Sequence, residues 1–217
     1  MGLRNVKNPI DPSSPFKSAE GFFNIAHRGA SYYAPENTMA SFKLASEMNA
    51  DMIELDVTLT RDNIPVVFHD RKLSRTTDGK GNISRYLLRE LRELDAGLWF
   101  SELYKGTRIP TLEEVLEWAS GTIALNIEIK KEAVSGNHKI GVVELISNLV
   151  SDFRMTDQVV ISSFSKDALA KSRNIAPNIS TAHLVNPYSW GTTRALHLMK
   201  RLGAAGLNMK PGQMKPK

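Results

Sequence analysis

The sequence predicts an α/β protein in which a parallel sheet is connected by helical crossovers. Two observations carry this prediction. Short apolar runs of strand length alternate with stretches of helical periodicity, and turn residues separate the two kinds of segment. Seven segments qualify as strands. The alternation is typical of either a doubly wound sheet or a (β/α) barrel, and the pattern alone leaves both open.

The first half of the chain contains three of the strand segments, at 22–26, 51–57 and 65–70. Apolar residues spaced three apart over 37–49 predict a helix, with Asn37 or Thr38 available as its N-cap. The long connection over 71–110 contains turn residues and a predicted helix at 84–94. Thr111 and Glu114 have the spacing of a capping box and predict the start of another helix.

The second half of the chain continues the alternation, with strand segments at 122–130, 158–164, 178–185 and 204–209. One helix is predicted between the first two of these segments by the spacing of Val143, Ile146, Leu149 and Val150. Ser165 is the predicted N-cap of the next helix. A further helix is predicted near 193–202. The chain therefore alternates strand and helix almost to its last residues.

Composition excludes several classes of protein. The 217 residues include no cysteine, which rules out disulfide frameworks and thiolate metal sites. Hydrophobic residues at 41% and charged residues at 24% are ordinary for a globular protein, which argues against a fibrous or disordered chain. The net charge is +5, but three lysines lie in the last eight residues, so we expect no nucleic-acid surface.

No targeting or membrane-spanning segment is visible. No apolar run approaches the ~20 residues that a transmembrane helix needs. The first 21 residues lack the apolar region and the small-residue cleavage site of a secretory signal. We therefore expect a cytoplasmic protein.

Acidic side chains share one face of two predicted strands. Side chains alternate along a strand, so Glu54 and Asp56 point to the same face, and so do Glu128 and Lys130. Three buried carboxylates would repel one another unless a cation lies between them, and their oxygen atoms favour Mg²⁺ or Ca²⁺ over zinc. The alternative is a structural network in which Lys130 and Arg28 pair with these acids, and the spacing leaves both open.

Two histidines follow strand segments, His27 after the first and His69 after the third. The carboxyl ends of strands are where parallel α/β folds build active sites, and two histidines beside acidic residues suit a general acid and a general base. Arg28 and Lys130 would attract an anion. Together these residues predict a site for phosphoryl chemistry.

Four motifs occur in order along the chain: HRGASYYAPENT (27–38), ELDV (54–57), VVFHD (66–70) and IEIK (127–130). This ordered set resembles the glycerophosphodiester phosphodiesterase family, a group within the phospholipase C-like TIM-barrel phosphodiesterases. The resemblance extends from about residue 22 to residue 210 and includes the stretches RTTDGKG and ELDAGLWF. A single motif would be weak, whereas the ordered set is specific.

The resemblance implies a (β/α)8 TIM barrel that hydrolyses glycerophosphodiesters to an alcohol and glycerol 3-phosphate with one divalent cation. It places this chain in glycerol and lipid metabolism, with a small-molecule substrate and a homo-oligomer as an open option. The implied metal ligands are Glu54, Asp56 and Glu128, the implied base and acid are His27 and His69 in either order, and the implied phosphate-binding residues are Arg28 and Lys130. Glu36 and Asn37 are expected to support these residues from behind.

The resemblance also predicts the organisation of the chain. We expect a lead segment over 1–21, a barrel domain over 22–210 and a basic tail over 211–217. A small insertion at about 71–106, after the third strand, is expected to cover the barrel mouth and help bind glycerol. No segment matches the family's eighth strand, so we expect a barrel one strand short of closure.

Other activities stay open. A lysophospholipase D or a sphingomyelinase D-like phosphodiesterase would use the same barrel on lipid substrates. An inactive barrel that acts as a binding protein is the second alternative. The sequence leaves the alcohol group and the choice between Mg²⁺ and Ca²⁺ undetermined.

Overall fold

A computed structural model describes residues 24–134, 141–185, 200–201, 204 and 206–208 of the chain. Its sheet contains the strands β1 (Ile25–His27), β2 (Met52–Leu59), β3 (Pro65–Val67), β4 (Ala124–Ile129), β5 (Val159–Ser163), β6 (Ser180–Leu184) and β7 (Gly206–Asn208). Strands β1, β2, β4, β5, β6 and β7 are parallel neighbours in that order. The predicted parallel α/β sheet is confirmed.

The described helices are α1 (Met39–Glu47), α2 (Leu88–Leu91), α3 (Leu112–Ala119), α4 (Lys131–Val134), α5 (Val142–Asp152) and α6 (Lys166–Ile175). Three short 3-10 helices lie at Leu73–Arg75, Ile83–Arg85 and Glu102–Tyr104. The side chains of Thr38, Thr111 and Ser165 each accept a hydrogen bond from the first turn of the helix they precede. These three predicted N-caps are therefore confirmed.

One predicted helix is much shorter than expected. Of the segment 84–94, only Leu88–Leu91 is α-helical. The carboxylate of Asp62 accepts a hydrogen bond from the backbone N–H of Leu88 at 3.0 Å, and the backbone N–H of Arg61 donates to the carbonyl of Tyr86. These tertiary contacts fix the start of the helix. Of the helix predicted near 193–202, only Lys200 and Arg201 are described, and both are helical.

The third strand differs from its predicted role as a parallel barrel strand. β3 pairs antiparallel with the end of β2 and lies off the main strand order. Residues 60–64 are too few for a parallel crossover, which needs a dozen or more residues, and they form a hairpin turn with Asn63 at φ 62°. The described residues thus contain six parallel strands, two fewer than a (β/α)8 barrel.

The two faces of the sheet have different coverings. Ile53, Leu55 and Val57 of β2 belong to the large core that the sheet forms with the helices. The opposite face carries a small apolar cluster without a helix residue among those described, consisting of Met52, Ala124, Val160 and Ala182. Among the residues that the structure describes, helices pack on one face of the sheet, which is the arrangement of a (β/α) barrel rather than a doubly wound sheet.

The connection after β3 forms its own apolar cluster. This insertion cluster consists of Val66, Phe68, Leu73, Ile83, Leu91, Ala96 and Ile109. The Tyr104 hydroxyl donates to the carbonyl of Tyr33 at 3.0 Å and so connects the insertion to the loop after β1. None of the helices in the described part of the chain is long and apolar enough to cross a membrane.

Candidate active site

Three carboxylates meet on the inner face of the sheet. The parallel register places Asp56 of β2 directly beside Glu128 of β4, with Glu54 two residues earlier on the same face of β2. Each of the three offers an oxygen atom, and these atoms all lie within 4.8 Å of one another. The register between β2 and β4 thus brings Glu128 together with Glu54 and Asp56, which alternation had placed on one face of β2.

Burial makes this cluster of negative charge costly. Asp56 is 1% exposed and Glu54 is 8% exposed. Burial, together with the negative charges of Asp56 and Glu128, raises the pKa of Glu54 to about 8. The pKa of Glu128 is also raised, mainly by burial. Without an added cation, Glu54 therefore resists ionisation at neutral pH.

Two basic side chains offset part of the charge. The Lys130 ammonium lies 2.9 Å from Glu128 Oε1 and 3.3 Å from Asp56 Oδ1. Burial lowers the pKa of Lys130, but the two acids outweigh it and hold the value above the usual one. Arg28 Nε lies 3.4 Å from Asp56 Oδ2 and is buried. The ion-pair network considered as an alternative is therefore present within the same cluster.

A divalent cation fits this donor set. The three carboxylates supply only oxygen atoms, which are the ligands that Mg²⁺ and Ca²⁺ prefer. A cation among them would remove the repulsion that raises the pKa of Glu54. Glu54, Asp56 and Glu128 are thus the residues that can hold a metal ion.

The loop after β1 has an unusual backbone that fixes one wall of the site. Arg28 has φ 58° and Gly29 has φ 81°, and an L residue pays about 1–2 kcal/mol for the left-handed conformation. This turn directs the Arg28 backbone N–H at both the Glu54 carbonyl (2.9 Å) and Glu54 Oε2 (3.0 Å). A Cβ atom at Gly29 would meet Ser41 atoms at 2.5 to 2.8 Å, so the loop needs glycine there.

Glu36 and Asn37 lie directly behind the cluster. The Asn37 side-chain amide donates to Asp56 Oδ2 at 2.8 Å, and its carbonyl accepts from the Asp56 backbone N–H at 3.2 Å. Asn37 therefore fixes both the strand and the carboxylate. Glu36 accepts from Arg28 Nη1 at 3.0 Å and also pairs with Arg75. Asn37 thus contacts a carboxylate of the cluster directly, and Glu36 contacts it through Arg28.

His27 stands at the mouth, beside the carboxylates. Its Nε2 atom lies 3.8 Å from Glu54 Oε2, and its backbone carbonyl accepts from the Ser31 hydroxyl at 2.8 Å. Partial burial of the ring, together with the charge of Arg28, lowers the pKa of His27. The ring is therefore neutral at neutral pH and can accept a proton.

His69 lies two residues after the end of β3. A backbone hydrogen bond from Phe68 to the Asp56 carbonyl, at 2.8 Å, holds this segment against β2. The charge of His69 lowers the pKa values of both Glu128 and His27. The backbone contact of Phe68 with Asp56 thus brings His69 to the end of β2 that carries the carboxylates.

An acidic partner orients the His69 ring. His69 Nδ1 lies 2.5 Å from Asp70 Oδ1, and hydrogen bonds from Arg75 lower the pKa of Asp70 to about 2. An ionised carboxylate only accepts hydrogen bonds, so Nδ1 carries the proton and Nε2 is the nitrogen available for proton transfer.

Sequence reasoning missed Asp70 and Arg75 as parts of the site. Asp70 had a local signal, since it follows His69 directly. Arg75 lies in the RTTDGKG stretch of the insertion, and no spacing rule indicates that it reaches across to Glu36. The structure assigns both residues to the same ion-pair network as Arg28.

Known proteins are similar in sequence to most of this chain. The model of the glycerophosphoryl diester phosphodiesterase family matches residues 27–213. A glycerophosphodiester phosphodiesterase from Caldanaerobacter subterraneus is 40% identical over 185 residues, which cover 85% of this chain and 74% of that protein. One from Bacillus subtilis is 38% identical over 178 residues, which cover 77% of this chain and 61% of that protein.

A solved structure shares the fold. A phosphodiesterase from Oleispira antarctica, in complex with the product sn-glycerol-3-phosphate, superimposes with a TM-score of 0.74 at 36% identity. The match covers 88% of this chain and 76% of that one, which confirms the predicted TIM-barrel class. The chain spans less than two thirds of the Bacillus relative. Because the family model matches residues 27–213, the chain belongs to the glycerophosphoryl diester phosphodiesterase family.

Proposed function

We propose that the protein hydrolyses glycerophosphodiesters to an alcohol and glycerol 3-phosphate with the help of one divalent cation. The observation that carries this proposal is the buried cluster of Glu54, Asp56 and Glu128, with His27 beside Glu54 and with His69 next to Phe68, which bonds to the Asp56 backbone. The family match and the product complex of the Oleispira relative support the same reaction class. A cytoplasmic location and a homo-oligomeric state remain predictions.

Glu54, Asp56 and Glu128 would hold the cation, either Mg²⁺ or Ca²⁺. When bound, the cation supplies positive charge that stabilises the negative charge developing on the phosphoryl oxygens. Lys130 donates two of its three ammonium protons to Glu128 and Asp56, which leaves one for a phosphate oxygen. Arg28 adds a second positive charge on the same wall, so the site attracts a phosphodiester anion.

The two histidines divide the proton transfers. His27, with its lowered pKa, accepts the proton of the nucleophile, which is water or the neighbouring glycerol hydroxyl. His69, held through Nδ1 by Asp70, acts in its imidazolium form, in which Nε2 also carries a proton, and donates that proton to the oxygen of the leaving alcohol. One proton leaves the nucleophile and one reaches the leaving group, so the reaction needs no further acid or base.

An apolar rim favours a lipid phosphodiester as the second candidate substrate. Tyr32 is 86% exposed and Leu103 is 90% exposed, and they lie in two segments that the Tyr104–Tyr33 hydrogen bond connects. Exposed apolar side chains of this size beside a site can contact an acyl chain. A lysophospholipase D activity would use the same catalytic residues.

The test measures release of glycerol 3-phosphate from glycerophosphocholine beside release of choline from lysophosphatidylcholine. We expect the first reaction to dominate with either Mg²⁺ or Ca²⁺. A preference for the lysolipid, reduced by Leu103→Ser, would establish the lipid alternative. Binding of glycerophosphocholine by the metal-loaded protein without turnover of either substrate would instead indicate the inactive binding protein.

A further inference from the structure

We propose that Arg75, in the insertion, is a positioning residue that couples the phosphate-binding loop to the histidine that protonates the leaving group. It lies between two carboxylates, Glu36 on one side and Asp70 on the other. Glu36 holds Arg28, and Asp70 holds His69. This inference rests on the proposed function, because it assigns Arg75 a part in the same reaction.

The contact with Asp70 has the geometry of a two-point ion pair. Arg75 Nε lies 2.5 Å from Asp70 Oδ2, and Nη2 lies 3.2 Å from Oδ1. The guanidinium therefore fixes the rotation of the carboxylate as well as its position. Because Asp70 Oδ1 is also the acceptor for His69 Nδ1, the orientation of the carboxylate sets the orientation of the imidazole.

The contact with Glu36 is a second two-point ion pair. Arg75 Nη1 lies 2.9 Å from Glu36 Oε2, and Nη2 lies 2.6 Å from Oε1. The same Oε1 atom accepts from Arg28 Nη1 at 3.0 Å. Although burial raises the pKa of Glu36, the bonds from Arg75 and the charge of Arg28 bring it below the usual value, so Glu36 stays ionised. A continuous chain of ion pairs thus runs from Arg28 to His69.

The hydrogen-bond count separates positioning from direct substrate binding. A guanidinium has five N–H donors, and four hydrogen bonds to Glu36 and Asp70 leave at most one of them for a ligand. The single positive charge of Arg75 also faces two carboxylates, which offset its attraction for a phosphate. Lys130 and Arg28, by contrast, lie against the inner carboxylates themselves.

The fold of the insertion determines where Arg75 stands. Arg75 ends the first 3-10 helix, and Leu73 in the same helix is fully buried in the insertion cluster. Backbone bonds from Leu73 to Gly81 and from Thr77 to Leu73 close this turn. The insertion therefore acts on proton transfer through Arg75.

The first experiment compares Arg75→Met and Arg75→Lys with Arg85→Met, an exposed arginine of the second 3-10 helix. Loss of an orienting partner typically costs about 10- to 100-fold in activity, so we expect kcat of Arg75→Met to fall by that factor. The Kd of glycerol 3-phosphate, measured by calorimetry, should change less than about threefold, because Arg28 keeps its bonds to the barrel. Arg75→Lys should rescue little, since an ammonium group cannot make two two-point pairs. Arg85→Met should match the wild type.

Two results would overturn the proposal. An unchanged kcat in Arg75→Met would show that the ion-pair chain has no effect on the reaction. A kcat that is kept while the Kd of glycerol 3-phosphate rises in step with KM would make Arg75 a substrate ligand instead. A double variant gives a further check: in a His69→Ala background, Arg75→Met should cost less than about threefold, because its effect passes through His69.

A second readout does not depend on activity. Nitrogen-15 NMR of the labelled histidines reports which ring nitrogen of His69 carries the proton. We expect Nδ1 to be protonated in the wild type and in Arg85→Met. The preference for Nδ1 should weaken in Arg75→Met and in Glu36→Gln, which breaks the same chain of ion pairs at its other end. If the wild type releases no glycerol 3-phosphate, the proposed function fails, whereas the NMR comparison still supports or refutes the role of Arg75 in orienting His69. Thermal unfolding of each variant identifies any that fail to fold.

Discussion

Cation binding to the inner carboxylates should release a proton from Glu54. With a pKa of about 8, Glu54 is about nine-tenths protonated at pH 7 in the metal-free protein and about one-tenth protonated at pH 9. A carboxylate must lose its proton to bind a metal ion. Binding should therefore release about 0.9 proton at pH 7 and about 0.1 proton at pH 9 from this group. The apparent affinity should rise by about tenfold for each pH unit up to about pH 8.

Isothermal titration calorimetry measures this release directly. The binding enthalpy of Mg²⁺ or Ca²⁺ is compared in two buffers of different ionisation enthalpy, at pH 7 and again at pH 9. The enthalpy difference between buffers gives the number of protons released. Glu113→Gln, on the exposed side of α3, is the matched control for Glu54→Gln. Tight binding that depends on neither pH nor buffer would refute the account of charge repulsion in the cluster.

Three further predictions follow from the same geometry. Replacing either His27 or His69 by alanine should lower kcat by about 10² or more while the metal Kd is unchanged, and wild-type rates in steady-state assays of either variant would remove it from catalysis. In urea unfolding, Gly29→Ala should lower the free energy of unfolding by about 1–3 kcal/mol more than Gly81→Ala does. Both glycines have φ 81°, but only at Gly29 would a Cβ atom meet neighbouring atoms. Equal losses of stability would mean that only backbone strain matters. The metal-free protein should lose stability as the pH rises from 4.5 towards 8, because the native state binds the Glu54 proton in that window and the unfolded state does not. Thermal unfolding of the wild type and of Glu54→Gln across this pH range measures the effect. Identical pH profiles of the two proteins would contradict it.

Much of the site could be predicted from the period of two strands. Alternation along β2 was enough to place Glu54 and Asp56 on one face of that strand, and alternation along β4 did the same for Glu128 and Lys130, whereas the register between the strands came from the structure. The N-caps Thr38 and Thr111 were equally readable, since capping depends on residues three apart in the sequence. Local rules therefore gave the elements and the inner face.

The remaining features depend on contacts between distant residues. The antiparallel course of β3 follows from the five-residue turn after Leu59, which is too short for a parallel crossover. The periodicity of apolar residues contains no information about the direction of a strand. Arg75 and Glu36 are 39 positions apart in the sequence, so only the folded insertion brings them together. The left-handed backbone of Arg28 likewise depends on the hydrogen bonds that Glu54 supplies. No local pattern encodes these distances.

Release of glycerol 3-phosphate from glycerophosphocholine tests the central claim most directly. The wild type and Glu128→Gln are stripped with EDTA and assayed before and after addition of Mg²⁺ or Ca²⁺, with Glu113→Gln as the control. The account predicts that EDTA abolishes release, that one of the two cations restores it in the wild type and in Glu113→Gln, and that neither cation restores it in Glu128→Gln. Release that persists in EDTA, or that survives the loss of Glu128, would contradict the assignment of the carboxylate cluster as the metal-dependent catalytic centre.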